Sequence, residues 1–291
     1  MSVQIAMIGF GEAATAFVSG WARPDGVRIS AFDVKSETDA QAGAMAARQD
    51  ALRVLGAADI ARALAGADLV FCLVTADRAA DAAEAAAASG ALKAGALWCD
   101  GNSCAPDTKR QAARAIEGAG AHYIDMAIMA PVHPQKHLVP IKLAAPKADL
   151  AAEALRALGM RPEVVGETVG EASAVKMLRS VMIKGLEALM AECFLAARRA
   201  GVEEQVIASL EASDPDIAWR KRGAYNLERM MVHGARRAAE MREVAKTVEG
   251  LGLYPGLSRA TAQWQDIVAA THADPGEDAL ITRLDRLLKL L

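Results

Sequence analysis

Val3-Gln4-Ile5-Ala6-Met7-Ile8, then Gly9-Phe10-Gly11-Glu12-Ala13-Ala14, then Thr15-Ala16-Phe17-Val18: this stretch decides the fold. An apolar run of strand length enters a glycine turn, and the turn enters a series of helix formers. The pattern is G-x-G-x-x-A. Gly9 permits a tight turn, Gly11 lets a pyrophosphate approach the backbone, and Ala14 is small enough for close helix–strand packing. The helix start offers free N–H groups to an anion. Phe10, Glu12 and Ala13 complete the turn and are cofactor-binding candidates with the two glycines. A second strand, Val27 to Phe32, ends in Asp33, 22 residues after Gly11, at about the distance from which an acidic side chain accepts from an adenosine ribose. The expected cofactor is NAD. Lys35, two residues on, keeps NADP open.

Composition bounds the class. The chain has 291 residues, 53% hydrophobic and 24% charged, enough for two domains and a sizeable core. A net charge of −3 supplies no basic field, so no nucleic-acid partner is expected. No run approaches the charge-free length of a membrane span. The first strand begins at once, which leaves no room for a signal peptide, and a cytoplasmic location is expected. Cys72, Cys99, Cys104 and Cys193 lack C-x-x-C pairing and read as reduced thiols. The histidines lack metal-ligand spacing, so no metal is expected.

Up to about residue 166, short apolar runs alternate with helical stretches. Strands are expected at 68–75, 96–99, 123–129, 141–144 and 161–165, with helices at 77–89 and 106–118 between them. Such alternation implies a doubly wound, mostly parallel α/β sheet of the Rossmann type. Beyond Gly166 the strand signal stops. Residues 171–199 contain no proline and suit one long helix, followed by helices near 203–212, 219–233, 235–251, 258–271 and 275–290. The expected domains are a dinucleotide-binding domain, 1–168, and an all-helical substrate and dimerisation domain, 169–291. A cleft between two such domains is the default place for a substrate.

Two further segments carry chemistry. Asp100-Gly101-Asn102-Ser103 follows a sheet strand and precedes a helix, at the edge where open α/β sheets bind ligands, and Asn102 and Ser103 offer donors and acceptors there. The bland alternative is that Ser103 or Asp107 caps the next helix. On the long helix, with Lys176 set at 0°, Arg179 falls at about −60°, Ser180 at about 40°, Glu187 at about 20° and Lys184 at about 80°. These polar residues share one face of an otherwise apolar helix. Either the face is merely solvated or it meets substrate. Next to a dinucleotide site, a partly desolvated lysine beside a cationic ring gives up its proton more easily and can serve as general acid/base.

With these three motifs in this order, the chain resembles the β-hydroxyacid dehydrogenase superfamily, which includes 6-phosphogluconate dehydrogenase and 3-hydroxyisobutyrate dehydrogenase. The resemblance implies that Gly9 to Ala14 is the cofactor turn and that Val74 and Thr75 contact the cofactor after the fourth strand. Asp100-Gly101-Asn102-Ser103 is similar to that family's substrate-site Asp-Gly-Gly-Asn-Ser, shortened by one glycine. Gly166 to Lys176, spaced G-x-x-x-G-x-x-x-x-x-K, is similar to its G-x-x-G-x-x-x-x-x-K segment with one more residue between the glycines, which implies that Lys176 is the catalytic lysine. The run His233 to Met241 resembles a poorly characterised branch with its own helical C-terminal domain.

The departures are informative. Ser180 replaces the family's asparagine four residues after the lysine, and Ile183 replaces the glutamate of 6-phosphogluconate dehydrogenase. The carboxylate-binding D-x-P-V-S-G-G loop survives only as Asp125-Met126-Ala127-Ile128-Met129-Ala130-Pro131. The substrate pocket is therefore expected to be rebuilt, with Asn102, Ser103, Arg179, Ser180 and Lys184 as its candidates. His133, Lys136 and His137 in the altered loop are either solvated or in contact with an anionic substrate. Cys104 reads as a packed thiol. Arg236 and Arg237 read as surface charges, Arg236 paired with Glu240, with carboxylate binding as their other role.

The resulting expectation is an NAD-dependent oxidoreductase acting on the CH–OH group of a polar or anionic, hydroxy acid-like small molecule, assembled as a homodimer. Its rivals are a C=N reductase of the same superfamily, a non-catalytic dinucleotide-binding protein, and a methyltransferase.

Overall fold

The computed structural model describes residues 3–21 and 26–291. In chain order the first elements are β1 (Gln4–Ile8), α1 (Glu12–Gly20), β2 (Arg28–Phe32), α2 (Asp39–Ala51), β3 (Leu55–Gly56) and α3 (Ile60–Leu64). Next come β4 (Leu69–Cys72), α4 (Ala79–Ala88), β5 (Leu97–Asp100), α5 (Pro106–Gly118), β6 (His122–Ile128), β7 (Ile141–Ala144), α6 (Ala148–Ala157) and β8 (Pro162–Gly166). The strands form one eight-stranded sheet in the order β3-β2-β1-β4-β5-β6-β7-β8. Every pair is parallel except β6 with β7. Strand order reverses between β1 and β4, the switch point at which such sheets take their ligands.

Burial on both faces explains the strand sequences. Along β1, Ile5 and Met7 pack with Phe17, Phe71, Ile124 and Leu143, whereas Ala6 and Ile8 pack with Val70, Trp98, Tyr123 and Ile116. A strand covered on both sides is continuously apolar, as Leu69-Val70-Phe71-Cys72 is. Ala83 and Ala86 of α4 are fully buried, so the alanine tract is a helix packed close against its neighbours.

From Glu171 the chain is helical: α7 (Glu171–Ala200), α8 (Glu203–Ser213), α9 (Trp219–Gly250), α10 (Gly256–Ala270) and α11 (Leu280–Leu288). The chain divides into two compact units, Met1–Met177 and Leu178–Leu291. The second has its own core, built on Phe194, Leu227, Met230, Val268 and Leu284. Among the described residues no helix is long and apolar enough to cross a membrane.

The first unit takes in the start of α7, where Ala172 packs with Ala127 and Ala144 and Ser173 bonds to Asp125. The elements differ from the sequence expectation in three places. The helices expected at 219–233 and 235–251 are one helix, α9. Gly234 does not break it; a Cβ there would lie 2.7 Å from the Gln265 carbonyl oxygen and 2.9 Å from the Ala269 Cβ, so the glycine serves close approach of α10. β3 is a two-residue edge strand with no sequence signal. α11 begins at Leu280 rather than Pro275, since Asp274 accepts from the Gly276 N–H and holds a turn there.

Candidate functional site

The glycine turn has the conformation its spacing demands. Gly9 sits at φ +86°, and a Cβ there would approach the Leu73 carbonyl oxygen to 2.5 Å and the Val74 Cγ1 to 3.0 Å. The turn thus presses against the exit of β4, which brings Val74 beside Gly9, with Thr75 next along the chain. Gly11 is different: a Cβ there would meet nothing within 4 Å. It stands at the start of α1, which no side chain caps, so the first-turn N–H groups face a space that a ligand anion can enter. Ala14 is fully buried against the sheet, Glu12 is exposed and Ala13 half-buried.

Asp33 has a structural task that the sequence did not reveal. Its Oδ2 accepts from the Phe10 N–H at 2.7 Å and its Oδ1 from the Lys35 N–H at 3.0 Å. The carboxylate holds the glycine turn in place, and each oxygen retains a lone pair for a ribose hydroxyl. Turn, uncapped helix and acidic strand end together fit a dinucleotide.

At the end of β5, Asp100 is fully buried and organises the next loop. Its Oδ1 accepts from the Asn102 backbone N–H at 2.9 Å and from Asn102 Nδ2 at 2.7 Å. Asn102 Oδ1 is buried and has no partner among the described residues, an acceptor for which a ligand donor would compensate. Ser103 Oγ accepts from Lys176 Nζ at 2.6 Å across 73 residues of sequence. The structure therefore brings together two segments singled out separately. Cys104 is buried and donates to the Ala76 carbonyl at 3.3 Å. Burial first, and the Asp100 charge second, push the Cys99 thiol up to about 12 and Cys72 higher still, so neither forms a thiolate near neutral pH.

Behind this loop lie three residues absent from the candidate list. Lys109 Nζ is 3.0 Å from Asp100 Oδ1 and 3.6 Å from Asp125 Oδ1, and the Tyr123 hydroxyl donates to Asp100 Oδ2 at 2.5 Å. Burial alone lowers the pKa of a lysine, but the two carboxylates outweigh it and hold Lys109 above the usual value. Burial and then the Asp100 charge push Tyr123 well above its usual value. Both stay protonated. A signal was present for Lys109: with Ala112, Ala113 and Ile116 it forms the buried i, i+3, i+4, i+7 stripe of α5.

In the helical unit two of the three remaining candidates bond to each other. Lys184 Nζ donates to Ser180 Oγ at 3.1 Å and pairs with Glu240 at 2.9 Å, both in buried surroundings. Arg179 is exposed. Two expectations are corrected here. Glu240 pairs with Lys184 rather than Arg236, which is exposed. Arg237 is no surface charge; it is buried and forms a bidentate pair with Glu187, whose Oε2 also accepts from Gln265 Nε2 at 2.8 Å. In the altered loop, His137 packs onto Gly20, at the end of α1 remote from the glycine turn, while His133 is exposed.

A family profile for the NAD binding domain of 6-phosphogluconate dehydrogenase matches residues 4–132, and a domain of unknown function, DUF1932, matches residues 197–268. A conserved hypothetical protein from Sinorhizobium meliloti 1021 is 40% identical, with a TM-score of 0.79 over 100% of this chain and 97% of its own. The conserved protein MTH1747, of unknown function and similar in structure to 3-hydroxyacid dehydrogenases, is 28% identical, with a TM-score of 0.68 over 91% of this chain and 97% of its own. The 3-hydroxyisobutyrate dehydrogenase of Mycobacterium tuberculosis shares the fold at 16% identity, with a TM-score of 0.70 and 99% of each chain covered. An uncharacterised 28.5 kDa protein of Methanothermus fervidus is 28% identical over 170 residues, which span 57% of this chain and 63% of that relative.

The fold is that of the 3-hydroxyacid dehydrogenase-like, NAD-binding oxidoreductases, and the cofactor class of the domain is a nicotinamide dinucleotide. The chain belongs to the 6-phosphogluconate dehydrogenase-like family, in the branch whose helical portion is DUF1932.

Proposed function

We propose that the protein is an NAD-dependent dehydrogenase that oxidises the CH–OH group of a polar, hydroxy acid-like molecule, with Lys176 as general acid/base. The observation that carries this reading is the 2.6 Å hydrogen bond from Lys176 Nζ to Ser103 Oγ, beside the unpartnered Asn102 Oδ1. When bound, the nicotinamide supplies the hydride acceptor. Gly9 to Ala13, Val74 and Thr75 hold the dinucleotide, and Asp33 receives a ribose hydroxyl, which favours NAD over a 2′-phosphorylated cofactor. Asn102 accepts from the substrate. Ser103 fixes the direction of the lysine Nζ, which takes the hydroxyl proton as the carbonyl forms. Arg179, three residues after Lys176 and exposed, is the cation proposed for an anionic substituent.

Among the candidates, Ser180 and Lys184 bond to each other, and Lys184 also pairs with Glu240. The reading includes a cytoplasmic homodimer. Along α7, Leu178, Met182 (64% exposed) and Leu189 (62%) form an apolar stripe that a second copy would cover. Sedimentation equilibrium is expected to give a dimer at micromolar concentration, and a monomer would refute it.

Screening alcohols, hydroxy acids and amines with NAD at the nicotinamide absorbance identifies the substrate. With it, Lys176→Met is expected to lower kcat by about 10²-fold or more while leaving NADH affinity nearly unchanged. Lys176→Arg keeps the charge but holds its proton, and is expected to be as inactive. An active arginine variant would remove the acid/base role.

A further inference from the structure

We propose that Lys109 and Asp125 are positioning residues that set Asn102 and Lys176 relative to each other from behind the site. The inference rests on the reading that those two residues meet the substrate. β5 and β6 pair with Asp100 opposite Asp125, and Lys109, fully buried on α5, bridges the two carboxylates. Its Nζ also donates to the Asp100 backbone carbonyl at 2.6 Å, so one ammonium ties together two neighbouring strand ends.

From this junction two arms reach the site. Asp100 Oδ1 holds the backbone and the side-chain amide of Asn102. Asp125 Oδ2 accepts from the Gly170 N–H at 3.1 Å, the Ser173 N–H at 2.9 Å and the Ser173 hydroxyl at 3.0 Å. A strand residue 45 positions upstream of Gly170 therefore caps the start of α7, and Lys176 follows Ser173 by three residues on the same helix. Two carboxylates and one ammonium leave a net negative charge at that helix N-terminus, where the aligned peptide dipoles favour it. Stability alone does not call for this arrangement, since apolar side chains of the same volume serve a buried core as well or better. What the charges provide is direction: their hydrogen bonds end on the two segments that carry Asn102 and Lys176.

The test is Asp125→Asn in the full chain, which keeps the volume and removes the charge. In protein labelled at the lysine side chains, the Lys176 resonance is assigned by its loss in Lys176→Arg. Asp125→Asn is expected to move that resonance toward those of exposed lysines. It should also speed amide exchange at Ser173 by about tenfold or more, the scale of one hydrogen bond to a charged group. NADH affinity, which depends on the glycine turn, is expected to stay within about twofold. A Lys176 resonance and a Ser173 exchange rate that do not move would overturn the proposal. Should this variant fail to fold, Ser173→Ala tests the same arm with every charge in place, and Ser173→Thr is expected to restore the native signal by keeping the hydroxyl. Turnover separates the two ideas. A shifted Lys176 with normal turnover supports positioning and removes Lys176 from the chemistry. Lost turnover with an unmoved Lys176 overturns positioning and leaves Lys176 in its role.

Discussion

Both compact units bury charged side chains, but they use them differently. In the sheet unit, Asp100, Lys109 and Asp125 are fully buried, and their hydrogen bonds run outward to Asn102 and to the start of α7. In the helical unit, Lys184 with Glu240 and Glu187 with Arg237 and Gln265 close on one another, tying α7 to α9 and α10. The difference follows from where unsatisfied backbone exists. A strand end and a helix start leave free N–H groups that need an acceptor, so a buried carboxylate there can order a loop. The middles of α7, α9 and α10 have their backbone groups paired internally, so a charge there finds only other side chains.

The largest effect is expected where that inward pairing is broken. Arg237→Met should leave Glu187 buried without its cation and cost about 3–5 kcal/mol in chemical denaturation, and the double variant with Glu187→Gln should recover most of it. If Arg237→Met alone were neutral, the helical unit's charges would not be closed on one another. Gly234→Ala tests the same packing without charge. Its methyl would crowd the Gln265 carbonyl and Ala269, at an expected cost of about 1–3 kcal/mol by the same measurement.

In the sheet unit the counterpart is Gly11→Ala, which separates folding from binding. Since a Cβ there meets nothing within 4 Å, the denaturation midpoint should hold or rise slightly, while NADH affinity falls roughly tenfold, about 1.4 kcal/mol. Unchanged NADH affinity would place the pyrophosphate elsewhere.

The smallest effect is a pH dependence at His137. Burial, then the charges of Lys136 and Arg161, hold its pKa below the usual histidine value. The unfolded chain therefore binds the proton more readily than the fold does. Its contribution to stability is present above about pH 6.5 and is lost as pH falls through that value toward the lowered one. His137→Gln should flatten the decline in melting temperature between about pH 7.5 and about pH 5.5. An identical slope would remove His137 from the account.

What could be read from residue order was local. The glycine turn, the apolar strands and α5 from Pro106 to Gly118 each depend on a few consecutive residues, because turn conformation, period-two burial and helix capping are short-range physics. Asn102, Ser103 and Lys176 were legible as types in segments, though not as neighbours.

By itself the sequence determined an α/β dinucleotide fold followed by helices, since its alternating pattern admits few other packings. Only the tertiary structure decided that Ser103 meets Lys176, that Asp125 caps α7, that Lys109 bridges Asp100 and Asp125, and that Arg237 is buried. The physical reason is that a charge inside a protein is stabilised by partners on other elements, as Arg237 is by Glu187 on α7 and Lys109 by Asp100 and Asp125 on two strands, and residue order does not show which elements will meet.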